Sequence, residues 1–165
     1  MSVETDLAYA AGIIDGEGCI GLYEKAGKHI SSFRPSLVIA MNDVQVMQWF
    51  HRTYGGRLTE HIRKDTKAED GYRWCLDVRP PLVLLLTSLL PYLKTKHLQA
   101  SIVIDFCKRF PTSSWHWGLS RAEALAKMEE MQAYVEMMHK LNSKGRGSNL
   151  TKSNARDILS LVKSA

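Results

Sequence analysis

Two carboxylates stand two residues apart and are flanked by glycines in the run Asp15-Gly16-Glu17-Gly18. Carboxylates and accessible backbone carbonyls are the donors that suit a hard cation such as Mg²⁺. The segment before them carries helical signals. An acid just beyond a helix C-terminus meets the negative end of the dipole, so this placement calls for a counter-cation. Turn residues leading into a strand would have the same spacing, and spacing alone does not separate the two readings. The glycines also match a dinucleotide-binding fingerprint, Gly16-x-Gly18-x-x-Gly21. That fingerprint follows a strand and opens a helix, whereas here a helix ends and a strand begins, which argues against it. A second group with chemical potential is Lys94 and Lys96, in Leu93-Lys94-Thr95-Lys96-His97. Two ammonium groups at the start of a helical segment oppose its dipole, which favours a function over an ordinary surface role.

The elements that must position these groups follow from periodicity and punctuation. Thr5 to Asp15 reads as a helix, with Thr5 or Asp6 as N-cap and the glycines past its end. Its small residues Ala8, Ala11 and Gly12 share a face at i, i+3, i+4 spacing, which lets another helix approach closely. Cys19 to Lys25 alternates as a half-buried strand and Phe33 to Met41 returns as a second. Asp43 caps a helix to about Tyr54, closed by Gly55-Gly56. Arg57 to Arg63 and Tyr72 to Arg79 form a further pair of strands around a polar loop. Pro80-Pro81 ends the last strand. Leu82–Leu90, Leu93–Phe110, Ser120–Leu141 and Ser153–Lys163 then read as helices. The order αββαββα with added C-terminal helices implies an α+β fold, an antiparallel sheet with helices on one face, in a single domain spanning 1–165.

The other sheet face must meet water or a ligand. Alternation assigns to it Tyr23, Lys25, Arg34, Ser36, Arg57, Thr59, His61, Arg63, Arg73, Cys75 and Asp77. Ile20, Leu22, Leu37, Ile39, Leu58, Ile62, Tyr72, Trp74 and Leu76 fall beneath the helices. A solvated sheet face is ordinarily polar, but this one is rich in arginine, whose guanidinium reads guanine edges and phosphates bidentately. The 165 residues include 22 Lys plus Arg against 17 Asp plus Glu, a net charge of +5, which favours a polyanionic partner. Hydrophobic residues at 45% and charged residues at 24% exclude a disordered chain. Cys19, Cys75 and Cys107 are far apart and form no CxxC pair, which argues against a disulfide framework or zinc site and fits an intracellular, reducing compartment. No apolar run is long enough to span a bilayer, so no membrane partner is expected.

The nine residues Ala10-Ala11-Gly12-Ile13-Ile14-Asp15-Gly16-Glu17-Gly18 resemble the signature of the LAGLIDADG homing endonucleases. The resemblance extends along nearly the whole chain. It includes the αββαββα order, Trp49-Phe50 in the second helix, Tyr54-Gly55-Gly56-Arg57-Leu58 and Leu93-Lys94-Thr95-Lys96-His97. The motif occurs once, and single-motif members act as symmetric homodimers. The resemblance therefore implies a dimer interface through Ala8, Ala11, Gly12 and Asp15, with a saddle-shaped sheet on double-stranded DNA. It implies site-specific cleavage of both strands of a long, near-palindromic target by metal-dependent phosphodiester hydrolysis. Glu17 would be the metal-binding acid and the Gly16 carbonyl an adjacent ligand. Lys96, with Lys94 as alternative, would stabilise the charged phosphorus centre or order water. The cofactor would be Mg²⁺, with Mn²⁺ as a substitute and Ca²⁺ binding without cleavage.

Where the family often carries a glutamine and a basic residue near the start of the second helix, this chain has Asp43 and Met47. Asp43 then belongs to the candidate catalytic set, with Asn42 and Gln45 as other polar candidates. The DNA-binding set is the sheet face above, joined by Lys144 and Arg146 from a glycine- and serine-rich loop. A splicing maturase acting on intron RNA, or a DNA-binding protein without cleavage, is the alternative on the same fold. The family alone suggests an organelle, chloroplast or mitochondrion.

Overall fold

The computed structural model describes residues 2–27, 31–61, 71–114 and 116–143. Helix α1 spans Val3–Glu17, and its N-cap is Ser2, whose hydroxyl accepts from the Thr5 N–H at 3.3 Å. Capping therefore lies upstream of the expected Thr5 or Asp6. The far end also runs past the expected Asp15, and Gly16 and Glu17 complete the last turn. The stop is Gly18, where a Cβ would come within 2.7 Å of the Ile14 carbonyl oxygen. Only a residue without a side chain lets the helix pass so closely into strand β1, Gly18–Lys25.

Strand β2, Ser32–Met41, returns antiparallel to β1, with Tyr23 opposite Arg34 and Ile20 opposite Leu37. Asp43 caps α2, Val44–Tyr54, as expected, accepting from the Gln45 N–H at 2.9 Å and the Val46 N–H at 3.1 Å. Gly55 and Gly56 then turn at φ +70° and +80°, in the left-handed region that favours glycine. The Trp74 indole N–H donates to the Gly55 carbonyl at 2.7 Å and pins the turn to the sheet. Strands β3, Arg57–His61, and β4, Gly71–Leu76, pair antiparallel. The sheet order is β1-β2-β4-β3, with all neighbours antiparallel.

Helix α3, Arg79–Leu89, begins three residues earlier than expected. Pro80 and Pro81 do not merely end the strand. They occupy the first turn, where a missing N–H costs nothing. Helix α4, His97–Arg109, starts four residues later than the expected Leu93, because Lys94 to Lys96 turn around Asp15. Helix α5, Arg121–Asn142, opens on a capping box between Ser120 and Glu123. The expected helix Ser153–Lys163 lies outside the described residues.

The helices cover one side of the sheet. Ile20, Leu22, Leu37, Ile39, Trp74 and Leu76 are buried there with Ile14, Met47, Phe50, Leu86 and Phe106. This is the α+β architecture that alternation implies, and among the described residues no helix covers the opposite sheet face. Among the described residues no helix is long and apolar enough to cross a membrane.

Candidate active centre and nucleic-acid interface

The carboxylate of Asp15 is used inside its own chain. It accepts from the Lys94 N–H at 2.6 Å, the Lys96 N–H at 3.0 Å, the Thr95 hydroxyl at 2.9 Å and the Thr95 N–H at 3.3 Å. Successive N–H groups at the amino end of α4 make an anion nest, and the dipole of α4 adds to it. In return the Lys96 ammonium donates to the Asp15 backbone carbonyl at 2.5 Å. That places a cation at the negative end of α1. Each helix end thus receives the charge it favours, which explains two lysines at the start of α4. Burial pushes the Asp15 pKa up, but the hydrogen bonds from Lys94, Lys96 and Thr95 outweigh it and hold the carboxyl below its ordinary 3.8.

Glu17 ends the same helix and is exposed, as is Gly16. Among the described residues the Glu17 carboxylate has no hydrogen-bond or ion-pair partner. An exposed acid and an exposed glycine carbonyl in the last turn, at the negative end of a helix, are a donor set that fits a hard cation. Mg²⁺ in such sites takes one or two carboxylates and completes its shell with water and substrate phosphate. Among the described residues no three His, Cys, Asp or Glu side chains are grouped as a metal site.

The peripheral candidates fall elsewhere. Asp43 serves as the N-cap of α2 through one carboxylate oxygen. Met47 is fully buried, so its position serves packing rather than solvent.

The register places the sheet-face candidates together. Cys19, Val38, Cys75 and Arg57 form one cross-strand row, and Ala40, Arg73 and Thr59 the next. Tyr23 and Arg34 pair opposite each other, and so do Lys25 and Ser32. Arg34, Arg57, Arg73, Thr59 and Lys25 are exposed, and Asp77 follows β4 and is also exposed. The Arg57–Asp77 ion pair is long at 3.9 Å and well solvated, so both side chains remain available. His61 pairs with Gly71 in the register. Arg63, Lys144 and Arg146 lie outside the described residues.

Ser36 is on the expected face but only 7% exposed. Its partner is Gly21, and the Tyr23 ring folds back over that glycine, where a Cβ would come within 2.5 Å of the phenol oxygen. Ser36 is therefore not a free contact residue. The Tyr23 hydroxyl lies 3.5 Å from the Cys19 sulfur. Burial and that neighbour push the Tyr23 pKa up to about 12, so it stays a neutral hydrogen-bonding phenol. Cys19 itself is exposed on this face, and extending the strand alternation four residues back from Tyr23, through Gly21, would have found it.

On α1, Ala8, Gly12 and Gly16 are exposed, while Ala11 is 1% exposed and packs into the chain's own core. A Cβ at Gly12 or Gly16 would meet nothing within 4 Å. Among the described residues nothing requires glycine at either position.

No family model matches the chain, and no curated protein matches its sequence. Its structure is similar to solved homing endonucleases. I-CvuI, solved in complex with the I-CreI target in the presence of Mg with the DNA not cleaved, aligns with TM-score 0.67 at 22% identity, covering 97% of this chain and 96% of that one. An archaeal intron-encoded enzyme, I-Vdi141I, complexed with DNA, aligns with TM-score 0.61 at 14% identity over 99% and 98%. I-TnaI aligns with TM-score 0.54 at 18% identity over 94% and 97%. At these identities the likeness is one of backbone architecture, and the chain has the homing-endonuclease fold.

Proposed function

We propose that this chain is a site-specific DNA endonuclease of the LAGLIDADG type, acting as a pair of identical subunits on a long, near-palindromic duplex. The observation that carries the reading is the exchange between α1 and α4. It brings the Lys96 ammonium to the helix end that presents the free Glu17 carboxylate, beside a sheet face bearing Arg34, Arg57 and Arg73. The likeness to nucleases solved on DNA supports it.

In this reading Arg34, Arg57, Arg73, Thr59, Lys25 and Tyr23 hold the duplex along the major groove, and their hydrogen-bonding groups read base edges. Glu17 and the Gly16 carbonyl would hold a divalent cation, Mg²⁺ or Mn²⁺. Such a cation supplies Lewis-acid charge at the phosphate and eases deprotonation of water. Lys96, fixed by its bond to Asp15, keeps a positive charge where the phosphate gains negative charge. One chain has one such acid, so cutting both strands requires two copies. The exposed Ala8-Gly12-Gly16 stripe would let two α1 helices meet closely. Gly12→Leu is expected to convert a dimer to a monomer in sedimentation. The monomer should not lose stability, since the new side chain projects into open space and leucine is the better helix former by about 1 kcal/mol. A dimer persisting at the same concentration would refute this packing.

The test of the function is selection from a random duplex library in Ca²⁺, followed by Mg²⁺ addition to the selected DNA. A near-palindromic consensus cut on both strands supports the proposal. A consensus bound but never cut favours the non-cleaving reading, to which the capping role of Asp43 and the burial of Met47 lend weight. No duplex consensus at all favours intron RNA as the ligand.

A further inference from the structure

A cleft of about 550 Å³ opens where the start of β2, the β4–α3 connection and the chain following α4 meet. Its polar lining is Arg34, Asp77, Arg79, Ser32, Thr112 and Ser113. Arg79 is the unusual member. Its guanidinium is half-buried and lies over the Phe106 ring, 5.8 Å from the centroid. One terminal nitrogen, Nη2, donates to the Phe33 carbonyl at 3.1 Å, while Nε is buried with no hydrogen-bond partner among the described residues. Nη1 has no hydrogen-bond partner among the described residues. No described carboxylate pairs with Arg79, and the nearby Asp77 instead leans toward Arg57. Burial lowers the Arg79 pKa, the cost of holding a cation there without a counter-ion.

Two further facts give the cleft an anionic preference. Arg34 lines it, is exposed, and has no ion-pair partner among the described residues. Helix α3 starts on its wall at Val78 and Arg79 with no side-chain cap and no acid in its first turn. Two guanidinium groups and three hydroxyls against the single Asp77 carboxylate, which leans toward Arg57, leave the space net positive and match a tetrahedral oxyanion, whose oxygens accept several donors at once.

We propose that this cleft binds a phosphate group, with Arg79 and Arg34 as its cationic ligands and Thr112 and Ser113 as hydroxyl donors. The phosphate comes either from the backbone of a bound duplex or from a free phosphate compound. The first source rests on the function proposed above, and the second does not. Arg34 also belongs to the open sheet face. A duplex phosphate held here would therefore fix the DNA at the rim of the sheet, away from Glu17.

The test titrates the full chain with inorganic phosphate against chloride at matched ionic strength and follows the backbone amides of Thr112 and Ser113 by NMR. Saturable shifts are expected in the wild type and should vanish in Arg79→Gln. Ser113→Glu is the second variant, because it puts a negative charge on the exposed rim without disturbing the Arg79–Phe106 packing. Absence of saturable shifts in the wild type, or shifts of wild-type size in both variants, overturns the site. Duplex binding across salt then identifies the source. Loss of one phosphate contact reduces the slope of log affinity against log salt by about 0.9. From 50 to 200 mM salt the wild type would then lose about 3.5-fold more affinity than Arg79→Gln. That result makes the DNA backbone the ligand, and an unchanged slope with intact phosphate shifts makes it a free phosphate compound. Wild-type protein that binds phosphate but no duplex would overturn the DNA reading and leave the cleft standing.

Discussion

Glu17→Gln is expected to abolish cleavage in Mg²⁺, slowing single-turnover cutting at least ~100-fold, while duplex affinity in Ca²⁺ stays within a few-fold of wild type. The lower bound is the loss typical of removing one preorganised electrostatic contact to the reacting centre. Glutamine keeps the length and shape of the side chain but removes its charge, so a hard cation loses its anionic donor from this chain. Folding should be unaffected, because the Glu17 carboxylate is exposed and makes no bond to other described residues. Affinity should stay within a few-fold because the arginine-bearing sheet face is untouched, and removing a negative charge beside a phosphate offsets the weaker hold on the Ca²⁺ ion there. Unchanged cutting would remove Glu17 from the centre. The remaining candidate acid would be Asp43, which uses one oxygen to cap α2. Lost binding with lost cutting would mean that Glu17 organises the DNA surface rather than the reaction.

The parts of this molecule that were legible in the sequence are those written in short-range patterns. Alternation in β1 and β4 separates Ile20, Leu22, Trp74 and Leu76 from Tyr23, Lys25 and Arg73 because side chains on a strand alternate faces. Asp43 and Gly55 mark the ends of α2 through local hydrogen bonding and a left-handed backbone. The misread boundaries share a cause. Gly16 resembles a helix stop, yet the chain turns only at Gly18, where the close approach to Ile14 demands it. Pro80-Pro81 reads as an interruption, yet proline is harmless in the first turn of α3. Ser36 follows the strand period but is covered because Tyr23 folds over Gly21, a three-dimensional event that no period records. The pairing of Asp15 with Lys94, Thr95 and Lys96 bridges about 80 residues of chain. Neither segment signals the other, and each looks electrostatically wrong until the two helix ends are brought together.

Asp15→Asn tests that junction, and its largest expected effect is on stability. The amide keeps one acceptor oxygen but loses the charge, and it presents a donor to a nest of N–H groups. Hydrogen bonds to charged groups contribute more than neutral ones, and a loss of about 2 kcal/mol is expected near pH 7, moderated because the site is partly solvated. The pH dependence follows from the direction of the shift. The folded carboxyl titrates below its ordinary 3.8, so its contribution is complete above that value and is lost as pH falls through the folded pKa. Denaturant midpoints of wild type and variant should therefore differ most near neutrality and converge as pH falls below 3.8 and through the folded pKa. A gap that is absent at neutral pH, or that does not narrow in acid, would show that the carboxylate is not what holds α1 to α4. Cleavage adds a second readout. Lys96 is untouched in this variant, yet its backbone anchor on Asp15 is weakened, and misplacing a catalytic group by about 1 Å costs on the order of 10²-fold. A stable fraction of Asp15→Asn that binds DNA as wild type but cuts slowly would show that this acid positions the lysine. Full activity in that fraction would confine Asp15 to folding, and the case for Lys96 would then rest on its own substitution.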